Sequence, residues 1–518
     1  MPDTAPFSPP AWLKPNHLAG MLRGIEKEGL RMQPDGFLAQ TPHPHLLGSK
    51  LTHPNITTDY SESLLELITD PKDTVTAMLA MLRELHVLVY QAMGADELMW
   101  SLSMPCMLSS DDADIPLADY GSSNIGKLKT LYRSGLGVRY GRRMQTIAGL
   151  HYNLSFSDDF FVAWQKELDN QDDLATFKND KYLGLIRNFK RLTPLVLYLT
   201  GASPSVCPCF LTGREHTLKS MNDTTLYEPL ATSLRMGKLG YTNSVQDHLD
   251  IRYNNLPEYV TGLRAAIGTP FEDFMAIGVD DKDGNPIQIN DHILQIENEY
   301  YSPIRPKQIT KSGETPSRAL EDRGIAYVEF RAIDLDPYSD IGIRLSTACF
   351  LEVLALYCLL TDSPELMPDE DALLADNLER VVNRGRQPDL RVMTAEGETS
   401  FAGWMQRHLH RMFPLADLLD AQNGGNHYRL AVTLMLGKAA NPQTTLSAQV
   451  LADTERLGST WQLGYELAKQ HRQAIMTQTL SPNTQARYEV LAEKSWLQQQ
   501  DIEASDTQSF YDYIQQYR

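Results

Sequence analysis

The chain is poor in cysteine, with five in 518 residues. They are scattered, so no disulfide scaffold is expected, and reduced thiols of a bacterial-type cytoplasm fit best. Cys207 and Cys209 lie two apart in a proline-flanked loop with no second ligand pair nearby, which argues against a zinc site. Long apolar runs are scarce too. The longest charge-free stretch, residues 192–211, carries Pro194, Gly201, Pro204 and Pro208. It reads as a buried strand or helix followed by a proline-rich loop, not as a membrane helix. Residues 1–20 are proline-rich without an apolar core, so no secretory signal is expected. Positive charge is in deficit: 47 Lys and Arg against 66 Asp and Glu leave a net charge of −19. That balance disfavours nucleic acid and anionic membranes as partners. It still allows a nucleotide to bind where cations gather locally. No internal repeat, low-complexity tract or flexible linker is visible.

What is present is enough for a large core, since 42% of the residues are hydrophobic. Residues 73–93 form an amphipathic pattern: Val75, Met78, Leu79, Leu82, Leu85 and Val89 recur at helical spacing, and Gly94 supplies a stop. Residues 345–360 are apolar on most sides, which predicts a buried helix. Residues 369–383 predict another amphipathic helix ended by Gly385, and Asn423, Gly424 and Gly425 predict a turn. Strand-like runs in the first two thirds do not alternate regularly with helices. The expected class is therefore α+β, with a largely antiparallel sheet. The expected organisation is a catalytic sheet region over 1–345, with a helical region over 346–518 packed on the same unit.

The functional argument rests on period-two alternation, because residues two apart on a strand share a face. Residues 24–30 put Glu26 and Glu28 on one face. Residues 149–156 put His151, Asn153 and Ser155 on one face, with Leu150, Tyr152, Leu154 and Phe156 on the other. Residues 294–301, read as a strand, align Gln295, Glu297, Glu299 and Tyr301. Residues 327–333 align Glu329 and Arg331, with Val328 and Phe330 behind. Each run alone also fits the wet face of an antiparallel sheet. Together they are rich in carboxylates, which repel one another unless cations sit between them. Carboxylates with one imidazole suit hard divalent ions that share phosphate ligands. Residues 57–66 add Asp59 and Glu66, which also read as a helix cap and a solvated carboxylate. The residues alone thus point to a metal–phosphate enzyme built on a sheet.

These segments resemble the glutamate–cysteine ligase family in its enteric-bacterial form. Residues 24–31 are similar to the family's opening G-x-E-x-E-x-L-R motif. Residues 51–53, 56–60 and 64–66 resemble the next block. Blocks at 129–133, 149–153, 201–204, 232–235 with 239–243, 301–307 and 327–331 follow in the family's order, spanning roughly residues 20 to 345. The resemblance implies a fold related to glutamine synthetase, with a curved antiparallel sheet forming a funnel, surrounding helices and a helical C-terminal third. It implies ATP, L-glutamate and L-cysteine as substrates, with two or three Mg2+ or Mn2+ ions. By motif position, the implied metal ligands are Glu26, Glu28, Asp59, Glu66, His151 and Glu329. Arg331 is implied at the transferring phosphoryl group, and Arg133 and Arg305 at the nucleotide. Tyr60, Tyr132, Leu136, Gln145, Arg235, Tyr241 and Tyr301 are implied in the amino-acid pockets. A monomeric cytoplasmic enzyme, with glutathione as feedback inhibitor, is the further implication. Tyr60 departs from the pattern: the family often has Phe there, so the extra hydroxyl is expected to change acceptor affinity without abolishing activity.

Overall fold

The runs 24–30, 149–156 and 327–333 come together in a single sheet. The structure, a computed structural model, describes residues 7–105, 107–240, 245, 249–311 and 313–518. In chain order, the strands are β1 (Leu22–Met32), β2 (Ile56–Thr58), β3 (Leu64–Ile68), β4 (Leu98–Met99), β5 (Leu150–Ser155), β6 (Ser205–Val206), β7 (Lys219–Asn222), β8 (Thr225–Tyr227), β9 (Ile304–Lys307), β10 (Tyr327–Ile333), β11 (Arg391–Thr394) and β12 (Gly397–Ser400). The main sheet runs β2-β3-β1-β5-β10-β9, with β4 on the far end of β1, and every pairing in it is antiparallel. A small sheet joins β6, β8 and β7, and β11–β12 is a separate hairpin.

One face of the main sheet is apolar and carries the core. Ile25, Leu150, Tyr152, Leu154, Val328 and Phe330 are fully buried. Helices cover that face. The helix Leu174–Thr200 packs on β10, where Phe189 meets Phe330 with ring centroids 4.8 Å apart. Residues 192–200 thus continue a helix, and the proline-rich loop follows. Pro194 sits inside it, while the Thr193 and Thr200 hydroxyls donate to the Phe189 and Val196 carbonyls. The amphipathic helix Val75–Ala92 is capped by the Thr74 hydroxyl, which accepts from the Ala77 N–H. The helix Leu345–Leu360 is buried on nearly every side, against Leu174–Thr200, Phe401–Asn423 and His427–Ala440. The amphipathic helix predicted at 369–383 spans Pro368–Arg384, and the turn predicted at 423–425 separates the helices Phe401–Asn423 and His427–Ala440.

The C-terminal helices return to the N-terminal part of the chain. In the helix Pro482–Ser505, the Ser495 hydroxyl accepts from the Ser49 N–H at 2.9 Å, and its carbonyl accepts from the Thr52 hydroxyl at 2.6 Å. The short helix Phe510–Ile514 packs on Asn124–Tyr140. Among the described residues, no helix is long and apolar enough to cross a membrane.

One expectation fails. Residues 294–301 are not a strand but an irregular segment around the single 3-10 turn Glu297–Glu299. Their side chains are drawn to different partners. Glu297 accepts from the Ser317 N–H at 2.6 Å, beside the start of the helix Pro316–Arg323. Glu299 accepts from the Gln295 N–H at 2.7 Å, and from Tyr140 and Arg139. Gln295 accepts from the Ile289 N–H at 3.0 Å. These local bonds compete with a ladder, and the four side chains share no face.

A charge buried behind the sheet ties the layers together. Glu352, in the otherwise apolar helix Leu345–Leu360, is fully buried and pairs with Arg23 of β1 at 2.7 Å. It also accepts from the hydroxyls of Tyr152 on β5 and Tyr428 on His427–Ala440, each at 2.8 Å. Removing one member of such a group leaves an uncompensated charge in the interior. Glu352→Ala should therefore lower unfolding free energy by about 3–5 kcal/mol, read as a fall in the urea midpoint. A midpoint within error of the unmodified protein would show that the network bears no load.

Candidate active site

Strand register builds the site. On β1 and β5, Glu26 stands opposite His151, and on β1 and β3, Glu28 stands opposite Glu66. On β10 and β5, Glu329 stands opposite Asn153. Three separate antiparallel pairings therefore place carboxylates from β1, β3 and β10 around one imidazole on one face. His151 Nδ1 lies 3.3 Å from Glu26 Oε2 and 3.8 Å from Glu329 Oε1, and its Nε2 lies 3.7 Å from Glu28 Oε1. Single ligand atoms of Glu26, His151 and Glu329 all fall within 4.8 Å of one another. Asn153 donates to Glu26 at 2.9 Å, and the Gly149 N–H donates to Glu28 at 2.5 Å. Asp59, just beyond β2, completes the acidic group.

The electrostatics are those of a crowded anionic site. Burial and the nearby Glu329 push the Glu26 carboxyl up. The hydrogen bond to His151 and the charges of Lys307 and His151 outweigh them and hold it below its ordinary range. Burial opposes ionisation of Glu329 as well, but Lys307, Arg331, His151 and Arg305 hold it well below the carboxylate range. Asp59 is pushed up to about 6, first by burial and then by Glu28. Glu66 is raised well above its ordinary value by burial and by Glu26, Asp59 and Glu28. Without a cation, then, the group cannot carry all its negative charges at once.

The donor set suits a hard divalent cation: several carboxylate oxygens and one imidazole. Glu329 is fully buried, and its Oε1 has no hydrogen-bond donor. Lys307 Nζ stands 3.2 Å from that oxygen without hydrogen-bonding it, so the oxygen is charge-compensated and keeps the lone pairs that a cation would take. Arg331 extends from the same face, with a nitrogen 3.1 Å from Glu329 Oε2.

Beside this cluster opens a cleft of about 850 Å³. Its walls include Glu28, Asp59, Tyr60, Tyr132, Arg133, Leu136, Gln145, Tyr301, Arg305 and Arg331. Arg133 is anchored by the Asp59 and Lys129 carbonyls and stacks over Tyr120. Arg305 donates to the Asn298 carbonyl at 3.2 Å and lies over Tyr300. Tyr301 donates to Met236 Sδ at 2.9 Å. Arg235 is completely buried and lies behind the wall. It donates to the Arg331 carbonyl at 3.2 Å, and Asp334 stands 3.5 Å away. Gly149 makes room for it: a Cβ there would sit 2.0 Å from an Arg235 guanidinium nitrogen. Tyr241 lies outside the described residues.

Sequence reasoning gave no role to Lys307, which the structure pairs with Glu329, or to Tyr140 and Met236 in the cleft wall; Glu299, read as part of a strand face, lines the cleft from a turn instead. Arg305 and Lys307 are two apart on β9, opposite Glu329 and Tyr327 respectively. That alternation of cations was a legible signal. Nothing in spacing marks Met236 or Tyr140.

A carboxylate–imidazole cluster beside a cleft walled by tyrosines and guanidinium groups is the equipment of an enzyme acting on anionic small molecules. Comparison with known proteins specifies which kind. The family model for glutamate–cysteine ligase matches residues 12–381. The glutamate–cysteine ligase of Alcanivorax borkumensis is 47% identical over 505 residues, covering 96% of each chain. That of Hahella chejuensis is 44% identical, covering 97% of this chain and 96% of its own. A crystal structure of the Francisella tularensis glutamate–cysteine ligase in complex with AMP superposes with a TM-score of 0.90 at 35% identity, covering 96% of this chain and 97% of that one. The bifunctional glutathione synthetase of Pasteurella multocida shares the fold, with a TM-score of 0.69 at 24% identity over 92% of this chain and 56% of its own. The chain belongs to the glutamate–cysteine ligase family.

The raised Asp59 carboxyl gives a pH signature. A carboxyl whose folded value exceeds its unfolded value favours the folded state below the unfolded value, about 4, and loses that contribution as pH rises through about 6. In chelated protein, the melting temperature of Asp59→Asn relative to the unmodified chain should therefore climb between pH 4 and pH 7. Excess Mg2+ should reverse the difference at pH 7. A flat difference across that range would remove Asp59 from the repelling group.

Proposed function

We propose that the protein joins L-cysteine to the γ-carboxylate of L-glutamate at the expense of ATP, through a γ-glutamyl phosphate intermediate, as the first step of glutathione synthesis. The observation that carries this reading is the convergence of Glu26, His151 and Glu329 on one sheet face, with Arg331 beside them and the cleft open alongside. Family membership supplies the substrates, and the AMP bound to the Francisella relative supports an adenine nucleotide.

Carboxylate and amine do not condense in water, because hydroxide is a poor leaving group. Phosphorylating the γ-carboxylate makes a leaving group, but that step brings two anions together, so positioning and charge neutralisation dominate the catalysis. Two or three Mg2+ or Mn2+ ions held by Glu26, Glu28, Asp59, Glu66, His151 and Glu329 would supply that neutralisation. Arg331, whose guanidinium burial disfavours but Glu329 and the β1 carboxylates keep charged, stabilises charge on the transferring phosphoryl group. Arg133 and Arg305, both in the cleft lining, would contact the nucleotide. Tyr60, Tyr132, Leu136, Gln145, Arg235, Tyr241 and Tyr301 shape the amino-acid pockets, Arg235 from behind the wall, where it donates to the carbonyl of Arg331. Residues 1–345 carry the chemistry, and residues 346–518 buttress the sheet as one unit. The enzyme works in the cytoplasm as a monomer and is inhibited by glutathione.

ADP release should require ATP, glutamate and cysteine together and stop with chelator. A panel of other amines in place of cysteine tests the acceptor, and a better acceptor than cysteine would refute the assignment. Glu329→Gln should lower turnover at least about a hundredfold in a folded protein. Arg331→Ala should lower kcat far more than it raises the KM for ATP. A defect confined to KM would place Arg331 in binding alone.

A further inference from the structure

Residues 288–299 lie against the helix Asn124–Tyr140, which supplies Tyr132, Arg133, Leu136 and Tyr140 to the cleft wall. Near the end of that helix, Arg139 donates to the Gln288 side chain at 2.7 Å, the Asn290 carbonyl at 2.6 Å and Glu299 at 3.2 Å. Gln295 makes the closest approach. It is buried, and each of its polar groups is used. Its N–H donates to Glu299 at 2.7 Å, and its carbonyl accepts from Asn290 at 3.1 Å. Its side-chain oxygen accepts from the Ile289 N–H at 3.0 Å, and its side-chain nitrogen donates to the Tyr132 carbonyl at 3.2 Å.

A carbonyl inside a helix already accepts from the N–H four residues on, so the helix does not need this last bond in order to form. Gly135 makes the bond possible: a Cβ there would sit 2.0 Å from Gln295 Oε1. A Cβ on Gly137 would sit 2.5 Å from the Tyr60 hydroxyl. Residues two apart on a helix point to nearly opposite sides, so Gln295 and Tyr60 grip this one from two directions. The grip has a small core of its own. Leu128 and Leu131 pack with Ile289 and with Ile514 of the C-terminal helix Phe510–Ile514, apart from the main core. Asn290 also donates to the Tyr517 carbonyl at 2.9 Å, and the Asn124 N–H donates to Asp506 at 2.5 Å.

We propose that Gln295 is a positioning residue for the acceptor amino acid: by holding the helix through the Tyr132 carbonyl, it sets where Tyr132 and Leu136 stand against Tyr60. These three side chains line the cleft and carry no charged group, which suits a small neutral side chain such as that of cysteine and offers nothing to a second carboxylate. This role presupposes the proposed ligation of cysteine. Displacing the Gln295 amide would break two buried hydrogen bonds and let the helix shift, and the loss falls on binding of the acceptor rather than of the nucleotide.

The test measures ADP release with each substrate varied in turn, for Gln295→Ala, Gly135→Ala and the double variant. Gln295→Ala deletes the bond to Tyr132, whereas Gly135→Ala keeps the glutamine and pushes its amide away. Each should raise the KM for cysteine at least about fivefold and leave the KM for ATP within about twofold. The double variant should be no worse than the worse single variant, because both remove one contact. Gly437→Ala, in the helix His427–Ala440 with nothing within 4 Å, should leave both KM values unchanged. A merely structural role would leave less folded enzyme, which lowers the rate without moving KM. That result, an equal rise in both KM values, or additive effects in the double variant would overturn the proposal. Amide hydrogen exchange tests the grip without any activity: over residues 124–140 it should quicken in Gln295→Ala, while residues 345–360 stay as they were. An unmodified chain that releases no ADP with cysteine would fault the proposed function. The exchange would then decide the positioning role alone, and unchanged exchange over 124–140 would overturn it.

Discussion

Repulsion between carboxylates is the constraint around which this molecule is arranged. The pairings of β1 with β3 and β5, and of β5 with β10, bring Glu26, Glu28, Glu66 and Glu329 to one face. Like charges that close cannot all ionise, and they respond differently to their surroundings. Glu329 and Glu26 are held in the charged form by Lys307, Arg331 and His151, while Asp59 and Glu66 are pushed toward the neutral form. A divalent cation would relieve both problems, which is why the cluster is read as metal-binding and not as a poorly packed surface.

An arrangement this strained needs a rigid support, and the support lies on the other face. Alternation along β1 places Ile25 and Lys27 behind Glu26 and Glu28, with Lys27 Nζ 3.0 Å from His86 Nε2. Tyr152 projects back from β5 between His151 and Asn153 to reach Glu352. The same helix residue binds Arg23 and Tyr428, so β1, β5 and two C-terminal helices share one buried carboxylate. The helical third of the chain thereby stiffens the strands whose opposite faces hold the acidic cluster. A ligand site set by strand register is only as precise as the packing that prevents the strands from slipping.

Much of this was legible in order of residues, because period-two patterns survive into the fold. The alternations in β1, β5 and β10 assign the right side chains to the right faces, and the apolar helix Leu345–Leu360 announces itself by composition. The same rule misled at 294–301. There the pattern Gln295, Glu297, Glu299 mimics a strand, yet each side chain satisfies a backbone N–H or a cation elsewhere. Polar alternation without β-branched partners is a weak strand signal, since Glu and Gln bond local backbone as readily as they face solvent. Met236 and Tyr140 escaped notice for another reason: their place in the cleft wall comes from what stands beside them, and spacing carries no record of that.

By itself, the sequence determined which side chains share a face of each strand, the antiparallel α+β character and the family to which the chain belongs, because these follow from local alternation and from motifs along the chain. Only the tertiary structure decided that Glu26, His151 and Glu329 meet, that Glu352 binds the sheet from behind, and that Gln295 reaches the Tyr132 carbonyl beside Gly135. The reason is physical. Register between strands distant in sequence is set by the burial of a whole face and by the helices covering it, and no single segment contains that information.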